Sequence, residues 1–181
     1  MQLLFKQADT GKELAQILSL QQENLISKLR PEEKIKEGFV TVEHDLDMLF
    51  RMNEVCGHII ARDDRTVVGY ALCMHPSFAE DIPVLRPMFA QLKMVLPREY
   101  NFMAMGQVCV AKAYRGKGIF RGLYRHMSET LRPNYDGIVT EVDTKNQRSM
   151  SAHKAVGFKE IGTYSSGGQD WQLLLLELRQ D

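Results

Sequence analysis

The residues whose types and spacing could do chemistry fall in two stretches of the second half of the chain. The first, Val108-Cys109-Val110-Ala111-Lys112-Ala113-Tyr114-Arg115-Gly116-Lys117-Gly118-Ile119-Phe120, runs from an apolar strand through a basic, glycine-punctuated turn into a helix. Glycine lets a backbone approach a ligand closely and take φ > 0, and the unpaired amides and dipole of a first helical turn favour an anion. The turn therefore predicts a phosphate site, with Arg115 and Lys117 adding charge. It is neither a P-loop, because no Lys-Ser/Thr follows, nor a dinucleotide fingerprint, because the third glycine is missing. The second stretch is Asn146-Gln147-Arg148-Ser149-Met150-Ser151-Ala152-His153-Lys154-Ala155-Val156-Gly157-Phe158, where a histidine that titrates near neutrality sits on a short helix.

In this order and at this spacing the two stretches resemble the GNAT superfamily of acyl-CoA-dependent N-acetyltransferases. The family's pyrophosphate-binding pattern, Val-x-x-x-x-Arg/Gln-x-x-Gly-x-Gly/Ala, falls on Val110, Arg115, Gly118 and Phe120. A second family pattern, Asn-x-x-Ala/Ser-x-x-x-Tyr-x-x-x-Gly-Phe, falls on Asn146, Ser149, His153, Gly157 and Phe158. The resemblance implies that acetyl-CoA or coenzyme A is held as a co-substrate, with Arg115, Gly116, Lys117, Gly118, Ile119 and Phe120 around the pyrophosphate. The pantetheine arm would lie along Val108, Cys109 and Val110 as an added strand would, and Asn146 would either bond that arm or cap its own helix. Phe120 departs from the pattern, which has glycine or alanine there; its ring either displaces the ligand slightly or turns outward and packs on it. The motif-bearing half starts near Phe102, and the first half matches the family only in element order.

Acyl transfer from a thioester to an amine needs a neutral amine, a stabilised oxyanion and a proton for the departing thiolate. By resemblance the oxyanion falls to a backbone amide near Cys109 or Val110. His153 stands where many family members have a tyrosine suspected of protonating the thiolate; the alternative is a half-buried histidine that only packs its helix. Ala104 stands where histone-type members have a glutamate, so the base must come from elsewhere. Glu141, in the otherwise apolar strand Ile138-Val139-Thr140-Glu141-Val142-Asp143, is the best candidate, because a buried acid is costly unless it is paired or functional. Its alternative is an ion pair with a lysine or arginine. Cys109 alternates with valines and has no activating histidine nearby in sequence, so it reads as a small core residue, and direct attack in a ternary complex replaces a covalent route. Lys112 and Tyr114 read as solvated loop residues.

A chain of 181 residues can bury one continuous core and is most simply a single domain spanning 1–181. Lysine plus arginine equals aspartate plus glutamate, 23 each, so no broad attraction to nucleic acid or anionic lipid is expected, and anion binding must be local. Cys56, Cys73 and Cys109 form no metal spacing and read as reduced thiols. No metal site, signal peptide or membrane-spanning run is evident, and the cytoplasm is the expected location.

The elements that must position these residues follow from periodicity. Leu3 to Gln7 reads as a strand, and Thr10 caps a helix with Leu14, Ile17, Leu18, Leu25 and Ile26 at helical spacing, ending near Arg30-Pro31. A second helix spans about Asp45 to Val55, with Leu46, Leu49, Phe50 and Met52 on its apolar face. His58–Arg62 and Thr66–Cys73 form a hairpin through Asp63-Asp64-Arg65. After an insertion with a helix near Val84 to Val95 come the strand Phe102–Val110, the helix Ile119–Leu131, the strand Gly137–Asp143, the helix Ser149–Val156 and a closing hairpin, Phe158–Tyr164 and Trp171–Leu178. The expected fold is α/β: a mixed, mostly antiparallel sheet with a parallel, splayed strand pair, flanked by helices.

In such a fold the amine acceptor, a small molecule or a peptide, would meet residues around Phe39, Asp45, His75, Phe78 and Trp171, with Asp45 or Glu80 able to attract a cation. The run Leu173-Leu174-Leu175-Leu176 could pair inside the sheet or across a homodimer. Two non-catalytic alternatives remain: an acyl-CoA-binding sensor, suggested by Ala104 and Phe120, and an interaction module that kept the fold without the coenzyme.

Overall fold

The computed structural model describes residues 3–25, 27 and 40–179. A seven-stranded sheet in the order β1-β2-β3-β4-β5-β7-β6 is built from β1 (Leu3–Gln7), β2 (Ile59–Asp63), β3 (Thr66–Met74), β4 (Phe102–Val110), β5 (Gly137–Asp143), β6 (Lys159–Ser166) and β7 (Gln169–Glu177). All neighbours are antiparallel except β4 and β5. Among the described residues the helices are α1 (Gly11–Asn24), α2 (Leu46–Val55), α3 (Arg86–Val95), α4 (Ile119–Leu131) and α5 (Gln147–Ala155). The mixed sheet with one parallel pair is the architecture expected from the sequence.

Helices cover both faces. Leu14 and Ile17 of α1, Leu49 of α2 and Leu92 of α3 pack with Tyr70, Leu72 and Met74 on one side, while Leu123 and Met127 of α4 and Met150 of α5 pack with Ala71 and Cys73 on the other. Successive residues of a strand point to opposite faces, so β3 must be apolar on both, which is why it reads as a continuous apolar run. In α4 the buried residues Ile119, Leu123, Tyr124, Met127 and Leu131 recur at helical spacing.

Several boundaries differ from expectation for local reasons. Helix α1 starts where the Thr10 hydroxyl accepts from Glu13 N at 3.2 Å, but it ends at Asn24, because Leu25 turns extended and bridges Val40. Ile26, Arg30, Pro31 and Phe39 lie outside the described residues. In α2 the packing falls to Leu49 and Met52, and Phe50 is 41% exposed rather than buried. Helix α3 begins at Arg86, after short 3-10 turns at Pro76–Phe78 and Pro83–Leu85. The leucine run lies in β7 between β5 and β6, so it pairs inside the sheet.

The feature that shapes the site is a fork. Strands β4 and β5 pair only through Phe102–Ala104 and Gly137–Val139. Beyond that point β4 carries one extra residue against β3, since Ala71 and Cys73 face Val108 and Met105. Such a bulge bends its strand, while β5 stays paired with β7 as far as Asp143 and Trp171. The strands part there, and Thr140 Oγ1 donates to Met105 O at 3.0 Å across the crotch of the fork. No helix among the described residues is long and apolar enough to cross a membrane.

Buried histidines give the fold a pH signature. Burial lowers His44, His58 and His153 from 6.5 to about 4. Between those values the unfolded chain binds more protons than the native one, so stability is lost as pH falls from 6.5 toward 4. Glu141, raised by burial to about 7, acts in the opposite sense between pH 4.5 and 7, but it is one group against three. The melting temperature should fall by at least ~5 °C between pH 7 and pH 4.5, measured by scanning calorimetry; a flat profile would contradict neutral burial of the histidines.

Candidate active site

Three spaces lie in a row through the fork. A cleft of ≈ 510 Å³ is lined by Val108, Cys109 and Val110 of β4, the turn residues Tyr114, Arg115, Gly116 and Gly118, the start of α4 at Ile119, Phe120 and Arg121, and Asn146, Arg148 and Ser149 of the α5 region. It adjoins a narrow opening of ≈ 80 Å³ between the parted strands, with which it shares Val40, Val108, Asn146 and Ser149. That opening is also lined by Glu141 and His153, and it shares Thr41, Val42, Glu141 and Trp171 with a cavity of ≈ 610 Å³ on the far side.

The first cleft is built for an anion. Gly116 and Gly118 adopt φ 75° and 78°, the left-handed region that side chains other than glycine's rarely tolerate. Among the described residues helix α4 begins directly after Gly118 with no side-chain cap, and uncapped amides of a first turn can bond an anion. Arg115, Arg121 and Arg148 line this cleft, and among the described lining residues there is no carboxylate. On β4, Ala111 N donates to Val68 O of β3 at 2.9 Å. Strand alternation therefore turns the amides of Val108 and Val110, rather than that of Cys109, to the edge away from β3.

Individual residues refine the expectations. Arg115 lines the cleft, but its Nε donates to Val110 O at 3.0 Å and one Nη to Asn24 Oδ1 at 2.6 Å, so it ties the turn to β4 and α1. Lys117 lies over the Tyr114 ring, 4.9 Å from its centroid, and is not among the lining residues. Tyr114 is half-buried and donates to Asp63 Oδ2 at 3.0 Å, so it is an anchored residue and not a solvated one. Phe120 turns inward and packs edge-on against Tyr124 and His153, with centroids at 5.0 and 5.1 Å, which keeps most of its bulk out of the turn. Asn146 caps α5, its Oδ1 accepting from Ser149 N at 3.1 Å, while also lining the cleft and the narrow opening. Burial pushes the Cys109 thiol up to about 12, so no thiolate forms near neutrality.

His153 is 1% exposed and held at both nitrogens. Its Nδ1 lies 2.7 Å from Ser149 O, which can only accept, so Nδ1 carries the proton and Nε2, 2.7 Å from the Tyr124 hydroxyl, accepts. With burial lowering it to about 4, the ring is neutral at pH 7 and its one proton is already engaged. Sequence gave no signal for Tyr124, since its spacing marks it only as a core position of α4. The Ser149 hydroxyl, 3.3 Å from His153 Nδ1, lines both the cleft and the opening.

Glu141 occupies the fork. Val139 pairs with Ala104, and Glu141 follows two residues on, on the same face of β5. Ala104 itself is fully buried. The partner of Glu141 is not a cation: the Tyr164 hydroxyl of β6 donates to Oε2. Burial raises the carboxyl to about 7, opposed by that hydrogen bond. A carboxylate titrating near neutrality at the mouth of a cleft is suited to removing a proton.

Comparison with known proteins agrees with this geometry. The NatC complex bound to Gag peptide and CoA is similar to this chain at 17% identity and TM-score 0.68, over 99% of this chain and 100% of that one. YncA from Salmonella typhimurium with its cofactor acetyl-CoA gives 15%, 0.67, 100% and 96%, and an N-acetyltransferase from Staphylococcus aureus gives 19%, 0.65, 99% and 100%. At these identities the likeness shows the fold. No curated protein matches the chain by sequence. A sequence profile of the Acetyltransferase (GNAT) family matches residues 15–158, and the chain belongs to that family.

Proposed function

We propose that this protein transfers an acetyl group from acetyl-CoA to the nitrogen of an amine by direct attack in a ternary complex. Family membership supports acetyl transfer. The observation that carries the reading is the position of Glu141, a carboxylate raised to about 7 at the opening that joins a basic cleft to a second cavity.

The residues present fit the coenzyme. The left-handed glycine turn and the uncapped start of α4 would hold the pyrophosphate, with Arg121 and Arg148 beside it, and Val110 would pair with the pantetheine arm. When bound, the coenzyme supplies a thioester as acyl donor. Glu141 Oε takes the proton of the attacking amine, since an alkyl ammonium with a pKa of ~10.4 needs help to become a nucleophile. Where cleft and opening meet, the amide of Val108 would face the developing oxyanion, leaving that of Val110 to the pantetheine arm. His153 positions Ser149 and the aromatic cluster instead of giving up its own proton, and Ser149 Oγ is the hydroxyl able to hold a proton where cleft and opening meet.

Tyr164 serves as a positioning residue, because its hydrogen bond favours the ionised form of Glu141. Tyr164→Phe should move the acidic limb of the kcat/KM profile to higher pH by about half a unit to one unit; an unmoved limb would mean that Tyr164 is only structural.

The function is tested by incubating the protein with acetyl-CoA and a panel of primary amines, following free thiol and a mass gain of one acetyl group on the amine. Amine-dependent thiol release supports the reading. Saturable coenzyme binding without turnover on any amine would instead favour a sensor.

A further inference from the structure

The cavity of ≈ 610 Å³ beyond Glu141 has a lining opposite in character to the coenzyme cleft. Glu43, Asp45, Asp81 and Glu141 line it, and among the described lining residues there is no lysine or arginine. The chain is neutral overall, so its charge is segregated across the fork: three arginines line one side and four carboxylates the other. Met48, Ile82, Pro83, Val84 and Leu85 supply an apolar wall, and Trp171, its Nε1 donating to Ser166 O at 3.3 Å, adds an indole. An indole attracts a cation held over its face.

His44 lines the same cavity, is 3% exposed, and its Nε2 has no hydrogen-bond partner among the described residues. Its backbone is clamped by Gln21, which donates to His44 O at 2.8 Å and accepts from His44 N at 3.2 Å. A buried polar nitrogen left unpaired is costly, and a polar group entering the cavity would relieve that cost. Burial keeps this ring neutral near pH 7, so it adds no repulsion toward a cation.

We propose that this cavity is the acceptor site, and that it selects an ammonium carried on an apolar body with no carboxylate beside the amine. The inference rests on the acetyltransferase reading, since only in that reading must a second substrate reach Glu141 from the side opposite the coenzyme. Volume favours one occupant of small-ligand size or the first residue or two of a peptide. The carboxylates draw in the charged amine, the apolar wall holds its side chain, and an α-carboxylate would meet Glu43 and Asp45 as like charges, with Asp81 already paired to Arg51. The acceptor loses its excess proton to Glu141 only at the fork, so the cavity recognises the ammonium and the opening uses the amine.

The test compares 3-methylbutylamine with leucine, which is the same amine bearing a carboxylate. Leucine is the weaker base, so basicity alone favours leucine and cannot produce the expected order. With acetyl-CoA saturating, kcat/KM should be at least about tenfold higher for 3-methylbutylamine. A peptide amide starting with leucine distinguishes the two sources of this chemistry: a rate above that of 3-methylbutylamine marks a peptide acceptor, and a lower one a small amine.

Asp45→Asn keeps the cap of α2, because asparagine caps as well as aspartate, and Asp81→Asn removes only a half-exposed pairing with Arg51. Together they should raise KM for 3-methylbutylamine several-fold and narrow the preference over leucine, with KM for acetyl-CoA unmoved. Equal use of leucine, or an unchanged KM in the double variant, overturns the inference while leaving the transferase reading intact. No acetylation of any of the three acceptors also overturns the inference, and the transferase reading falls with it only if the whole panel of primary amines is left unacetylated.

Discussion

Replacing Glu141 with glutamine should lower kcat by about 10²–10⁴-fold, the usual contribution of a positioned base, and leave coenzyme affinity unchanged. The substitution keeps the volume of the side chain and an oxygen able to accept from Tyr164, so the fork should keep its shape. The pH dependence is the sharper readout. A base must be deprotonated to act, so in the wild type kcat/KM should climb with pH and level off above about 7, where burial has placed this carboxyl. In Glu141→Gln that acidic limb should disappear, leaving a slope set by the amine alone. A variant that keeps both the rate and the limb would mean that the proton leaves to water. His153, lowered to about 4, should contribute no limb above pH 5 in either protein.

Gly118→Val should raise the dissociation constant for coenzyme A by at least about tenfold, or ~1.4 kcal/mol. A Cβ at Gly118 would meet nothing within 4 Å, so the substitution clashes with no neighbour. Its cost lies in the backbone: φ is 78°, where a left-handed L-residue costs roughly 1–2 kcal/mol and a β-branched one is a marked outlier. The turn relieves this strain by moving, and the amides at the start of α4 move with it. Circular dichroism should show an intact fold, and calorimetric titration with coenzyme A reads the affinity. Unchanged affinity would remove the pyrophosphate from this turn.

The order of strands and helices was legible because each central element carries its own period and its own stop signal. The strand Phe102–Val110, the helix Ile119–Leu131 and the strand Gly137–Asp143 fall where apolar spacing and flanking glycine or proline place them. The shape of the glycine turn was legible for a related reason: two glycines at φ > 0, a preceding strand and a following helix are all local. The end of α1 was not, because nothing near Leu25 stops a helix, and its extended conformation comes with a bridge to Val40, fifteen residues away.

What sequence could not show was partnership across elements. Glu141 stood out as an acid in an apolar strand, but the Tyr164 hydroxyl that meets it comes from β6 and carries no signal of its own. The Tyr124 contact that occupies His153 Nε2 is equally invisible, because Tyr124 looks like any core position of α4. Arg115 matched a binding pattern by spacing and lines the cleft, but spacing could not show that its side chain also ties the turn to Val110 and Asn24. The opposite charges of the two cavities come from residues scattered between positions 43 and 148, which a neutral total conceals.

The most direct test of the central claim is calorimetric titration of the folded protein with acetyl-CoA, coenzyme A and a 3′-dephospho analogue. Saturable binding of one acetyl-CoA per chain, weakened in Gly118→Val, is the result expected if the glycine turn and the start of α4 hold the coenzyme. Absence of binding in a folded sample would contradict it and leave an acetyltransferase-like scaffold without its donor.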